Sequence, residues 1–264
     1  MDHLAPEVWT ERIVAEGYPT VSAVVLTPNK AFVIDTLCAP QDMQPVLGLL
    51  REQAQGRTVV VVNTHHHWDH VYGNAAFAGV DIVAHSACPR LMVAQRGTAD
   101  ESVPLPPPEG VPLPTVTFGD RLTYSDDPET IHLIHTPGHT DDSIVVFSAR
   151  AGVLFAGDTL EWPLPSFSDR DAKDRWVRTL RRLKQLPADL VVPTHGSPKP
   201  KSLIDANERY ILDVYEAVAA AKREGAGRHD LDLPAGQFLP EGTRVDAVYE
   251  ASHAANLVHV WDEV

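Results

Sequence analysis

The chain has 264 residues, 44% of them hydrophobic, enough for one large domain or two small ones with a full core. A net charge of −14 repels phosphate backbones and anionic membranes, which disfavours both as partners, and no apolar run approaches the ~18 residues of a membrane span. Met1-Asp2-His3-Leu4-Ala5-Pro6 lacks the basic and apolar regions of an export signal, and Cys38 and Cys88 lie far apart, so a cytoplasmic protein with buried, reduced thiols is expected.

Residues 7–35 read as short strands, with 21–26 and 31–35 joined by the turn chemistry of Pro28-Asn29-Lys30. Met43, Val46, Leu47 and Leu50 fall at helical spacing within 41–55, and Gly56 stops that helix. The β-branched run 58–62 then predicts a buried strand, and it delivers Thr64-His65-His66-His67-Trp68-Asp69-His70 to a turn. A strand at 81–84 and a short helix at 88–95 follow. Prolines crowd 97–114, which predicts an extended loop able to wall a site.

Strands at 115–118, 131–134 and 143–147 predict a second sheet. His135 to Asp142 forms a turn between the last two, and Ala156-Gly157-Asp158-Thr159 follows a strand at 153–155. The helix expected over 169–186 carries Trp176, Leu180 and Leu183 on one side and Arg178, Arg181 and Arg182 toward solvent. A strand at 189–192 ends in Pro193-Thr194-His195-Gly196. A long amphipathic helix is expected over 201–224, with Leu203, Ile204, Ile211, Leu212, Val214 and Val218 as its apolar side, and a last helix around 245–260. No linker marks a second domain, so residues 1–264 read as one domain with 201–264 as its C-terminal helical part. The pattern fixes no oligomeric state.

The chemistry sits where strands meet turns. His65 and His67 lie two apart, with Asp69 beside His70, so one segment can present two pairs of donors to two different points, which is metal-ligand spacing. His66 should point to the opposite side of an extended turn and read as structural. His85, His132, His135, His253 and His259 have no ligand-type context. Trp68 and Tyr72 either line a pocket or pack beneath the turn, and Asn74 reads as turn chemistry.

His65-x-His67-x-Asp69-His70, taken with Thr136-Pro137-Gly138-His139, Gly157-Asp158-Thr159 and Pro193-Thr194-His195-Gly196, resembles the signature of the metallo-β-lactamase fold superfamily in type, order and spacing. The resemblance implies an α/β fold, an αββα sandwich of two mixed β-sheets flanked by helices, with a metal site at one edge. It implies that His65, His67 and His139 hold one metal, that Asp69, His70 and His195 hold a second, and that Asp158 bridges them. Two Zn²⁺ ions are expected, with iron or manganese as alternatives, and Asp69 is the expected catalytic residue, orienting a dimetal-bound hydroxide or relaying its proton.

A bridging aspartate resembles the glyoxalase II-like and lactonase-like branches more than the true β-lactamases. The expected function is therefore a dinuclear metal-dependent hydrolase of a small ester, lactone or thioester, with a small-molecule acyl substrate as its partner. Departures exist: Leu160-Glu161-Trp162-Pro163-Leu164-Pro165 lacks the Cys/Gly-rich continuation of glyoxalase II, and no set of basic glutathione-contacting residues is evident. A mononuclear-iron persulfide dioxygenase-like enzyme, a β-lactam hydrolase and a non-catalytic metal-stabilised protein remain alternatives. The apolar stretch from Trp162 to Phe167 is expected to border the pocket.

Overall fold

The computed structural model describes residues 1–15, 17–96 and 110–264. Strands β1 (Asp2–Ala5), β2 (Val8–Ala15), β3 (Tyr18–Leu26), β4 (Lys30–Ile34), β5 (Thr58–Val62), β6 (Asp81–His85) and β7 (Val116–Phe118) form one sheet in sequential order. Pairing is antiparallel from β1 to β4 and parallel from β4 to β7. The second sheet contains β8 (Arg121–Asp126), β9 (Glu129–His135), β10 (Ile144–Ser148), β11 (Val153–Gly157), β12 (Leu190–Pro193) and β13 (Lys199–Pro200), antiparallel except where β11 meets β12. The helices are α1 (Gln44–Gln53), α2 (Trp68–Val71), α3 (Cys88–Arg96), α4 (Lys173–Leu183), α5 (Leu203–Arg223) and α6 (Ala247–Trp261).

Alternation along the strands explains the layers. Val60 and Val62 of β5 join Phe32, Ile34 and Val83 against Leu133, Ile144, Val146 and Phe155 of the second sheet. Val61 points the other way, into a cluster with Val33, Met43, Val46 and Leu50 beneath α1. A strand buried on both faces has no polar alternation, which is why 58–62 reads as a continuous β-branched run. On the far side, Val145, Phe147, Leu154 and Val191 share a cluster with Trp176 and Leu180 of α4, Ile211 and Val214 of α5, and Leu257 of α6. The result is the expected αββα sandwich, with the C-terminal helices in the same core as the second sheet.

Some boundaries differ. The helix expected from 169 begins at Lys173, because Asp171 adopts φ +53 just before it. Arg178, Arg181 and Arg182 are exposed on α4 as expected, but Arg181 also pairs with Glu208 of α5 at 2.6 Å and Arg182 donates to the His135 carbonyl. β8 was not expected, since its polar alternation, Arg121-Leu122-Thr123-Tyr124-Ser125-Asp126, is that of an edge strand half-covered on one face. Of the proline-rich loop, residues 97–109 lie outside the described residues. Cys38 and Cys88 are both buried, and no helix among the described residues is long and apolar enough to cross a membrane.

At the end of the sandwich away from the histidines, Asp126 ties the two sheets together. Its carboxylate accepts from the Thr27 hydroxyl, from the Asn29 N–H at 2.8 Å and from Asn29 Nδ2 at 2.6 Å, and these bonds hold its pKa down to about 2. A depressed carboxylate contributes stability that is present above its unfolded value, near 3.9, and is lost as pH falls through the folded value. Asp126→Ala is therefore expected to lower the urea midpoint at pH 7, with the gap to wild type closing between about pH 4 and pH 2. A gap that stays constant down to pH 2 would show that these bonds do not depend on the ionised form.

Candidate metal centre

The site is built from strand ends. β4 runs into Asp35, β5 into Thr64 and His65, β9 into the turn that carries His139, β11 into Asp158 and β12 into His195, all at one edge of the sandwich. The two sheets meet there: the Ile144 N–H donates to the Thr64 carbonyl at 2.8 Å. Gly157 makes the closure possible, since it sits at φ +53 and a Cβ there would lie 2.7 Å from Thr64 Oγ1. A larger residue would push Asp158 away from the β5 turn.

Two groups of donors result. Donor atoms of His65, His67, His139 and Asp158 all lie within 4.8 Å of one another, and those of Asp69, His70 and His195 form a second such group. Asp158 Oδ2 stands between them, 3.6 Å from His65 Nε2 and His139 Nε2 and 3.3 Å from His70 Nε2 and His195 Nε2. Asp69 Oδ2 lies 3.2 Å from His195 Nε2 and 3.5 Å from His70 Nε2. The structure thus brings together every residue that the sequence nominated as a ligand.

Outer hydrogen bonds fix which ring nitrogen faces inward. His70 Nδ1 donates to Asp35 at 2.8 Å, His139 Nδ1 to the Ser166 carbonyl at 2.8 Å, and His195 Nδ1 to the Pro19 carbonyl at 2.8 Å. With the proton committed to Nδ1, each neutral ring aims a bare Nε2 lone pair at the centre. His67 is turned the other way, with its Nδ1 2.9 Å from His65 Nε2 and 3.1 Å from His139 Nε2. Three ring nitrogens this close need a cation or shared protons between them. His70 Nε2 and Asp158 Oδ1 are buried without a hydrogen-bond partner among the described residues, a cost of about 1–3 kcal/mol each that metal coordination removes. The donor set fits divalent transition metals.

Charge is divided between the groups. Burial and neighbouring imidazoles push His65 and His67 well below the ordinary histidine value, and burial lowers His139 as well, so this trio is neutral and ready to coordinate. Burial acts the same way on His70 and His195, but the carboxylates of Asp158 and Asp69 outweigh it and hold both well above that value. Burial would raise Asp158 and Asp69, yet His195 and His70 hold Asp158 well below the usual carboxylate range and lower Asp69 too. Glu161, fully buried and near Asp158, is pushed up to about 8.

Asp35 is the supporting residue that the sequence reading missed. Held at φ +58, it accepts from Thr64 N and Thr64 Oγ1, each at 2.7 Å, as well as from His70. Its signal was present: like Asp158, it is a carboxylate directly after a buried apolar strand. Asp142 plays the same part for His66, 2.8 Å away, which places His66 behind the ligands. Asn63 and Asn74 exchange amide hydrogen bonds of 3.0 and 2.9 Å and close the ligand turn at its base. The other histidines stand elsewhere: His85 stacks on His135 with centroids 3.9 Å apart, His132 meets Thr123, His253 meets Tyr210, and His259 meets Glu263.

A pocket of about 210 Å³ opens over the donors, walled by Ala15, Tyr18, Thr20, Trp68 and Ser166. Trp68 lines it, whereas Tyr72 is buried beneath the turn. The expected border from Trp162 to Phe167 holds only at Ser166. Trp162 faces a separate hollow of about 680 Å³ with Lys199 over its ring, and Phe167 packs on Trp176, Tyr210 and Tyr215. The segment has to turn inward because its neighbour Leu164 is fully buried.

The family model of the metallo-beta-lactamase superfamily matches residues 15–195. A hydroxyacylglutathione hydrolase of Tolumonas auensis is 32% identical over 63% of this chain and 57% of its own length, so the match leaves much of that relative unspanned. One from a Synechococcus strain is 27% identical over 80% of both chains. Among solved structures, a metallo-beta-lactamase from Pontibacter korlensis superposes with a TM-score of 0.63 at 24% identity, covering 77% of this chain and 94% of its own. The DIM-1 metallo-beta-lactamase gives 0.65 at 19% identity over 80% and 96%. These last two speak for the fold, and with the sequence match across every donor they lead to one conclusion: the chain belongs to the metallo-beta-lactamase superfamily.

Proposed function

We propose that this protein is a metal-dependent hydrolase that holds two divalent ions, zinc ahead of iron or manganese, and cleaves a small thioester, ester or lactone. The observation that carries this reading is Asp158 Oδ2, within 3.3–3.6 Å of four imidazole nitrogens drawn from both donor groups. His65, His67 and His139 would hold one ion, Asp69, His70 and His195 the other, with Asp158 shared. When bound, such a pair supplies a water whose pKa falls from about 15.7 to about 7 and polarises a carbonyl oxygen.

The chain's own groups do the rest. Asp69 lines the pocket and stays ionised, so its carboxylate accepts the proton of the attacking water and passes it toward the leaving group. Tyr18, Trp68 and Ala15 form an apolar wall that orients the acyl part, and a pocket of about 210 Å³ admits only a small one. The relatives named hydroxyacylglutathione hydrolase support a thioester substrate, while Leu160 to Pro165 departs from the glyoxalase II pattern and argues for a different thiol or alcohol. The net charge of −14 supports a small molecule over nucleic acid, and two buried thiols suit a reducing, cytoplasmic setting.

Metal analysis of protein purified without added metal should give close to two transition-metal ions per chain. In a matched panel of thioesters, lactones, β-lactams and a phosphodiester, the acyl esters should show the highest kcat/KM. A single iron per chain in active protein would replace this reading with the persulfide dioxygenase-like one. Dominance of the phosphodiester or the β-lactams would move the assignment to the nuclease or lactamase branch.

A further inference from the structure

Helix α6 lies far from the donors in sequence, yet its buried stripe is polar where a core helix is ordinarily apolar: Ser252, His253 and Asn256 are 8%, 2% and 2% exposed. A buried amide is costly unless its hydrogen bonds are made, and those of Asn256 are. Its Oδ1 accepts from the Phe167 N–H at 2.9 Å, and its Nδ2 donates to the Pro165 carbonyl at 2.8 Å and to the Tyr210 hydroxyl oxygen at 3.0 Å. Tyr210 in turn donates to His253 Nδ1 at 2.7 Å, and His253 Nε2 to the Leu233 carbonyl at 2.7 Å. The chain of donors runs one way and fixes the amide's orientation.

The consequence falls on residue 166. In an extended segment, the carbonyl of one residue and the N–H two positions on point to one edge, while the residue between them presents its own N–H and carbonyl to the other. Asn256 occupies the first edge of 165–167. On the opposite edge, the Ser166 N–H donates to Glu161 Oε1 at 2.7 Å and the Ser166 carbonyl accepts from His139 Nδ1 at 2.8 Å. Ser252 adds a second hold on the same residue, with its Oγ 3.2 Å from Ser166 Oγ.

We propose that Asn256 is a positioning residue for the metal centre: by clamping the 165–167 segment from behind, it aims the Ser166 carbonyl at His139 and so sets the tautomer and direction of that one ligand. The proposal rests on the two-metal reading above. It touches only the His65, His67 and His139 position, because His70 and His195 take their outer bonds from Asp35 and Pro19. That selectivity separates it from a general role in stability.

The test is titration of metal-free protein with Co²⁺ and then Zn²⁺, read by the cobalt ligand-field bands and by chelator competition. Wild type should take two ions. Asn256→Ala should bind one of them about 10–100-fold more weakly and the other as before, with kcat reduced more than KM is changed. Asp126→Ala is the control: it removes a buried carboxylate whose bonds to Thr27 and Asn29 lie at the other end of the sandwich and reach neither a ligand nor a ligand's partner. It should lose thermal stability and keep both ions. Should Asn256→Ala not fold, Asn256→Asp keeps the volume and the acceptor for Phe167 N–H but loses both donated bonds, and the same one-ion weakening is expected. Two ions bound with wild-type affinity in the folded Asn256 variants, or equal weakening of both ions, would overturn the proposal and leave the two-metal reading standing. Failure of wild type to bind two ions would remove both.

Discussion

Asp158→Ala should release both ions and lower kcat/KM by about three orders of magnitude or more, since the carboxylate shared by both donor groups is gone. Metal content by mass spectrometry and thioester turnover check this together. Retention of two ions with activity within tenfold of wild type would mean that Asp158 is not shared. The variant also changes the metal-free protein, where protons on His70 and His195 take the place of metal charge beside Asp158 and Asp69. Raised histidines contribute stability that is full below their unfolded value, near 6.5, and is lost as pH rises through the folded one; the depressed aspartates contribute above about 3.9 and lose it as pH falls through theirs. Because His65, His67 and His139 are held low and lose stability as pH falls below about 6.5, the chelated wild type should be most stable near that pH, and Asp158→Ala should flatten the fall above it in urea titrations run across pH.

Asp35 gives the second large effect, and two substitutions divide it. Asp35→Ala leaves Thr64 N–H, Thr64 Oγ1 and His70 Nδ1 without their buried acceptor, a loss on the order of 3–5 kcal/mol. Asp35→Asn keeps the shape, and its Oδ1 can still accept from Thr64 N–H. Its Nδ2, however, now donates to His70 Nδ1, which moves the ring proton to Nε2 and points it at Asp158 Oδ2, 3.3 Å away. The proton then occupies the place of a coordinate bond. Asp35→Asn should fold with modest loss of thermal stability while the ion at the Asp69, His70 and His195 position binds about 10–100-fold more weakly. Wild-type metal affinity in Asp35→Asn would show that the His70 tautomer is not set by this carboxylate.

The ligands were legible because each stands where an apolar run stops: after Val61 and Val62 in β5, after Leu154 and Phe155 in β11, after Val191 and Val192 in β12. The hydrophobic periodicity that marks a strand also marks its end, and chemistry-bearing residues at strand ends stand out. Asp35 ends a strand too, but a lone carboxylate beside Thr36 carries no spacing signal of its own. Asn256 was hidden for a different reason. Tyr249, Ser252, His253, Asn256, Leu257 and Val260 keep helical spacing on the buried side of α6, so polar residues in that stripe were the available clue, and only the fold shows what they hold. β8 escaped because an edge strand with one covered face has no continuous apolar run. The inward turn of the segment from Trp162 to Phe167 depends on burying Leu164 and Phe167 under α4 to α6, a tertiary choice that local apolarity does not specify.

The committed Nδ1 protons of His70, His139 and His195 have a further consequence, for metal exchange. Folding has already oriented these rings and met the entropic cost of doing so, so an arriving ion has little left to organise. Discrimination between ions then follows their intrinsic preference for nitrogen donors, rising from manganese through iron and cobalt to copper, and not the ease with which the protein can rearrange around each. On the two-metal reading, such a centre should be interchangeable, with its occupant following ion supply and cobalt replacing zinc in the folded chain.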